Sequence, residues 1–181
     1  QPNRWVFGYG SLIWRPGFEH LRAVPALLRG VHRRLCVYSY RHRGTPEQPG
    51  LVFGLMRGGS CRGMAFEVEG RRWDDVHAYL AARELDRGVY HEAWRPARLA
   101  TGETVSALAF VVDETHVQYA GRLAVAEQAR LVRAGVGESG ANPEYVLATA
   151  RHLQQLGIRD RALMELVDVL GGLDVEVPQT A

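Results

Sequence analysis

Along the chain, the spacing of apolar and polar positions changes about two thirds of the way through. Up to about residue 112 the apolar residues fall in short, partly alternating runs, rich in β-branched and aromatic types and bounded by Gly and Pro, which predicts strands. Six are read this way: Trp5 to Leu12, Leu28 to Tyr40, Leu51 to Met56, Gly63 to Val68, Val89 to Leu99 and Thr104 to Val112. In the second, Val31, Arg33, Leu35 and Val37 share one face and His32, Arg34, Cys36 and Tyr38 the other. One helical stretch interrupts the series, from Trp73 to Arg87, and helices dominate after Leu123. Asn142-Pro143-Glu144 predicts a helix start, with Asn142 as N-cap and proline at the first helical position, and Gly157 its stop. A last helix is predicted from Arg161 to Leu170, ending at Gly171-Gly172. Strands followed by helices predict an α+β fold: a single domain over residues 1–181 with a mixed, barrel-like β-sheet and helices packed against it.

With 181 residues, 46% of them hydrophobic, the chain is long enough to fill one core. No run approaches the roughly 20 apolar residues of a membrane-spanning helix, and Gln1 to Arg4 form no signal-peptide core, so a soluble, cytoplasmic protein is expected. The 22 basic and 20 acidic residues are spread evenly, giving a net charge of +2 and no nucleic-acid surface. Cys36 and Cys61 lack metal-binding spacing and are expected to be buried thiols. All 22 basic residues are Arg, with no Lys anywhere. That absence removes Schiff-base catalysis and the lysine-dependent phosphate loops.

Candidate chemistry begins at the helix read from Trp73. At about 100° per residue, Trp73, Val76, His77 and Leu80 form one stripe, and Glu84 falls near its middle. A carboxylate carried inward has its pKa raised by desolvation and becomes a candidate general acid/base; the alternative is that Glu84 swings out or pairs with Arg83, Arg87 or another Arg. The second feature is Gly8-Tyr9-Gly10-Ser11-Leu12-Ile13, where a strand runs into glycines. Closely spaced glycines let backbone N–H groups approach a carboxylate or an oxyanion, although glycines at a strand end also mark plain bulges. The segment is neither a dinucleotide fingerprint nor a nucleophile elbow. The seven histidines show no metal-binding spacing, and no cofactor is implied.

Four separated blocks resemble the ChaC-like γ-glutamylcyclotransferases. They are Trp5-Val6-Phe7-Gly8-Tyr9-Gly10-Ser11-Leu12-Ile13-Trp14; Arg33-Arg34 with His42-Arg43-Gly44-Thr45-Pro46 and Pro49-Gly50; Tyr79-Leu80 with Arg83-Glu84; and Ser139-Gly140-Ala141-Asn142-Pro143-Glu144-Tyr145. One departure is Leu85 to Val89, which lacks the Gly-Gly-Tyr ending of some members. The resemblance implies an intramolecular reaction in which the α-amine of a γ-glutamyl group attacks its own side-chain carbonyl. Glutathione would give 5-oxoproline and Cys-Gly without metal or cofactor. Glu84 is then the acid/base, and the backbone of Gly8, Tyr9, Gly10, Ser11, Leu12 and Ile13 binds substrate. Arg34 is a candidate for holding a substrate carboxylate, with a structural arginine as the equal alternative. Tyr145 is a candidate to place its hydroxyl in the pocket, with simple packing as the other reading. The implied partner is a small γ-glutamyl compound, and no oligomer is implied. Other γ-glutamyl amines or amino acids, or a non-catalytic binding role, remain as alternatives.

Overall fold

The computed structural model describes residues 1–176, so the last five positions of the expected 1–181 domain lie outside the described residues. Residues 1–33 with 54–116 form one compact unit, and residues 34–53 with those from 117 onward form another. Five strands, β1 (Arg4–Gly8), β2 (Arg22–Ser39), β3 (Gly50–Val68), β4 (Tyr90–Leu99) and β5 (Thr104–Val112), close into a barrel in the order β1-β3-β2-β4-β5. β2 and β3 contribute residues to both units.

The sheet is mixed. β1 runs antiparallel to β3, from Arg4 opposite Val68 to Gly8 opposite Met64. β4 is antiparallel to both β2 and β5. Closure is parallel, with Trp5 beside Ala107 and Val6 beside Leu108. Against this wall lies helix α2 (Trp73–Glu84), which follows a short 3-10 turn, Gly70–Arg72. Its buried face, Trp73, Val76 and Leu80, packs on Val6, Val68, Leu108 and Phe110, joined by Leu12 of the one-turn helix α1 (Ser11–Trp14). Burial of side chains this size contributes roughly 1.5–3 kcal/mol each. The α+β class read from the sequence, with a barrel-like mixed sheet and packed helices, is the one observed.

β2 begins at Arg22 rather than Leu28 and ends one residue earlier than expected, and β4 starts one residue later, at Tyr90; four further differences have a visible cause. The first strand ends at Gly8 instead of Leu12, because the chain turns there and winds α1, with Ile13 N–H donating to Gly10 O at 3.0 Å and Arg15 N–H to Ser11 O at 2.7 Å. The two strands expected over 51–56 and 63–68 are one strand: Gly58 and Gly59 adopt φ of +95° and +69° inside it, so the glycines bend the strand without ending it. α2 stops at Glu84 rather than Arg87, since the chain turns over Leu85, whose carbonyl accepts from Gly88 N–H at 3.1 Å.

The fourth difference lies in the second unit, where α3 (Val125–Ala134), α4 (Asn142–Gln155) and α5 (Arg161–Leu170) pack on one another beside the hairpin β6 (Val136–Gly137) and β7 (Gly140–Ala141). Asn142 begins α4 as expected but does not cap it. Its fully buried amide binds both backbone groups of Leu51, Oδ1 accepting from N–H and Nδ2 donating to O, each at 2.8 Å. Ala141 takes the N-cap position. α5 has its expected bounds: Asp160 accepts from Leu163 N–H at 3.0 Å, and Gly171 ends the helix at φ +110°. Cys36 and Cys61 are both buried, as expected.

Candidate functional site

The turn after β1 is held from the sheet by a buried arginine. Arg33 stands on the apolar face of β2 and is 7% exposed. Its Nε donates to Tyr9 O at 2.5 Å and its Nη2 to Arg62 O at 2.5 Å, charge-assisted bonds of the stronger kind. The chain passes so close here that any side chain at Gly63 would run into the Gly8 carbonyl and the Phe7 ring. Of the N–H groups at the start of α1, that of Ile13 is taken by Gly10 O, while a helix start supplies no i−4 acceptor for those of Ser11 and Leu12.

Glu84 sits at the C-terminal end of α2 with its side chain 17% exposed. Burial pushes its carboxyl above the ordinary 4.5, and the Arg83 charge pulls it back without cancelling the rise. Both sequence readings therefore hold together: the carboxylate turns partly inward, and it pairs with Arg83, whose Nε is 3.2 Å from Oε1. Among the described residues Arg83 is its one ionic partner. The other stripe position, His77, is half-buried and pairs through Nε2 with Glu92 at 2.6 Å.

Arg83 also joins Glu84 to the glycine-bearing segment. Its Nη2 donates to Ser11 Oγ at 3.0 Å, and its Nη1 to Arg15 O at 2.7 Å, Pro16 O at 3.3 Å and Tyr79 Oη at 3.1 Å. Ser11 and Glu84 thus bind the same guanidinium, a separation that one small ligand spans. A groove of about 590 Å³ in the same unit lies elsewhere, lined by Pro2, Asn3, Arg4, Trp5, Trp94, Val105 and Ser106.

Arg34 and Tyr145 belong to the second unit. Arg34 Nη2 donates to Leu123 O at 3.3 Å. The Tyr145 hydroxyl accepts from Phe53 N–H at 3.1 Å, and its ring lies against Phe53 and under the Arg43 guanidinium. Two of the sequence blocks meet in this unit: Glu138 N–H donates to Arg41 O, Ser139 N–H to His42 O, and the His42 ring lies 3.0 Å from Ser139 Oγ. Among the described residues, no group of three or more His, Cys, Asp or Glu side chains is gathered to hold a metal ion.

Sequence reasoning did not give Arg33 or Arg83 a role in the site. Arg33 carried a signal, a charged residue at an inward position of the Val31, Leu35, Val37 alternation. The sequence offers Arg83 only as a possible partner of Glu84; nothing in it signals the hold on Ser11 Oγ and on the Arg15 and Pro16 carbonyls, which lie 67 to 72 residues earlier.

This barrel with its flanking helices is the γ-glutamyl cyclotransferase fold. A solved structure of a γ-glutamyl cyclotransferase specific to glutathione from yeast matches it with a TM-score of 0.85, covering 94% of this chain and 96% of that one at 22% identity. Residues 4–172 match the family model described as ChaC-like protein, and the chain belongs to that family. The glutathione-specific gamma-glutamylcyclotransferase of Escherichia coli (strain K12) is 33% identical over 163 residues, 90% of this chain and 71% of its own. The human glutathione-specific gamma-glutamylcyclotransferase 1 is 34% identical over 173 residues, 92% of this chain and 78% of its own.

Proposed function

We propose that this protein cleaves glutathione by cyclising its γ-glutamyl group, with Glu84 as general acid/base. The substrate's α-amine nitrogen bonds to its own γ-carbonyl carbon, and the carbonyl electrons move onto oxygen. Collapse of that intermediate breaks the bond to the cysteinyl nitrogen. Glu84 takes the proton from the attacking amine and returns it to the departing nitrogen, so the products are 5-oxoproline and Cys-Gly, with no water consumed. Within the Gly8 to Ile13 turn, where Ile13 N–H is already held by Gly10 O, the other backbone N–H groups at the start of α1 are suited to the substrate carboxylate and to the developing oxyanion. Because the nucleophile belongs to the substrate, the protein needs to supply only a proton carrier, donors and the folded-back conformer.

The observation that carries this reading is the half-sunk Glu84 carboxylate, pushed up by burial and fastened through Arg83 to the Ser11 turn. Membership of the ChaC-like family and the names of its relatives support the choice of glutathione. The test is to incubate the purified protein with glutathione, with and without a chelator, and to follow 5-oxoproline and Cys-Gly. Both are expected in equal amounts, and the chelator is expected to make no difference. Release of 5-oxoproline only from other γ-glutamyl compounds would move the substrate. Binding of glutathione without any product would make this a binding protein.

A further inference from the structure

The Arg83 side chain is 23% exposed and meets five groups. An arginine has five N–H donors in a rigid fork. Here Nε faces Glu84, Nη2 holds Ser11 Oγ, and Nη1 is shared among Arg15 O, Pro16 O and Tyr79 Oη. The loop it grips is tight: any side chain at Gly17, which has φ +76°, would run into the Tyr79 hydroxyl. Phe18 beside it packs on Phe66 and Tyr79.

We propose that Arg83 is a positioning residue, one guanidinium that fastens the Ser11 turn and the residue 15–16 loop to the end of α2 and so fixes the Glu84 carboxylate against the turn's N–H groups. The inference rests on the reading of Glu84 as acid/base and adds the group through which that residue is placed. A carboxylate at a helix end has free rotamers, and a misplacement of about 1 Å costs about 10²-fold in rate. A lysine at this position has a single nitrogen and cannot serve acceptors on α1, the loop and α2 together.

Arg83 also sets the charge environment of Glu84. Other charged groups on the neighbouring elements are engaged elsewhere: Glu19 of the loop pairs with Arg72, His77 of α2 with Glu92 of β4, Arg4 of β1 lies over Trp73 and Trp94, and Arg15 lies over Trp14. Asp86 and Arg87 are exposed, and Tyr90 of β4 packs on the core cluster below. Removing Arg83 removes the one charge that lowers the Glu84 pKa, so the pKa moves further up.

The experiment compares wild type, Arg83→Met, Arg83→Lys and Glu84→Gln. The Glu84 carboxyl is followed by carbon-13 NMR, assigned by its disappearance in Glu84→Gln, and kcat against pH is measured with glutathione. In Arg83→Met the Glu84 titration and the acid limb of kcat should both move to higher pH, with kcat down about 10²-fold. Arg83→Lys should leave the limb in place and still lower kcat. An Arg83→Met protein whose Glu84 titration and kcat match wild type overturns the inference while leaving the acid/base reading intact; an active Glu84→Gln protein overturns the reading itself. Should Arg83→Met fail to fold, Arg83→Lys decides alone, and wild-type kcat there overturns the inference.

Discussion

Arg33 reaches from β2 to the carbonyl oxygen of Tyr9, donating from Nε at 2.5 Å with the guanidinium shut inside the protein. The bond joins the middle of one strand to the first residue past the end of another, where the glycine-bearing turn begins. Arg33→Met keeps the length and removes the donors from which the Tyr9 and Arg62 carbonyls accept. A buried polar group without its bond costs about 1–3 kcal/mol. The urea midpoint should therefore fall, and turnover should fall with it as the turn loosens. Unchanged stability would show that these bonds contribute nothing net.

Glu84→Gln keeps shape and a hydrogen-bonding carbonyl but cannot carry a proton. The expected loss is about 10²- to 10⁴-fold in kcat, the usual worth of general acid/base catalysis, with glutathione affinity largely retained. Single-turnover formation of 5-oxoproline and equilibrium binding separate the two. A variant that keeps most of its kcat removes Glu84 from the chemistry.

The same substitution changes how stability depends on pH. The native Glu84 carboxyl has its pKa above the ordinary 4.5, so the folded protein holds this proton more tightly than the unfolded chain does. Its contribution is fully present below the unfolded value and is lost as pH rises through the native one. Glu67, Asp113 and Glu127 are shifted the other way, so total stability hides the effect and the difference between proteins reveals it. Relative to Glu84→Gln, wild type should lose ground as pH climbs above the ordinary carboxylate range, measured by urea unfolding at a series of pH values. A difference that is flat with pH would mean that burial does not raise this group.

Tyr145→Phe deletes the hydroxyl that accepts the Phe53 N–H while leaving the ring against Phe53. Loss of the acceptor for a buried donor should cost about 1–3 kcal/mol. Thermal unfolding measures it, and a melting temperature equal to wild type would show that this hydrogen bond contributes nothing net.

Much of this fold was legible because local chemistry and burial agree. β5 and α5 have their expected bounds, and both are short stretches in which propensity, apolar period and end signals coincide. The departures occur where a distant partner overrides a local signal. Asn142 looks like an N-cap, yet Leu51, remote in sequence, takes its amide. Gly58-Gly59 looks like a strand end, yet the strand continues past both. In the candidate site, Glu84 was readable from helical spacing and the Gly8 to Ile13 turn from its glycines. Of the arginines that hold them, Arg83 was readable only as a pairing partner of Glu84. The grip of Arg33 on Tyr9 and Arg62, and of Arg83 on Arg15 and Pro16, was not readable, because these acceptors are backbone carbonyls, which no residue type announces.

The parallel seam between β1 and β5 has a consequence for synthesis. Trp5 to Phe7 leave the ribosome about a hundred residues before the Ala107 and Leu108 edge that completes one side of β1. At about 5–20 residues per second, that is a wait on the order of ten seconds. β3 arrives sooner and can cover the other side of β1 by antiparallel pairing. Until β5 emerges, the nascent chain carries an apolar strand with one edge open, a surface suited to chaperones and to wrong partners alike.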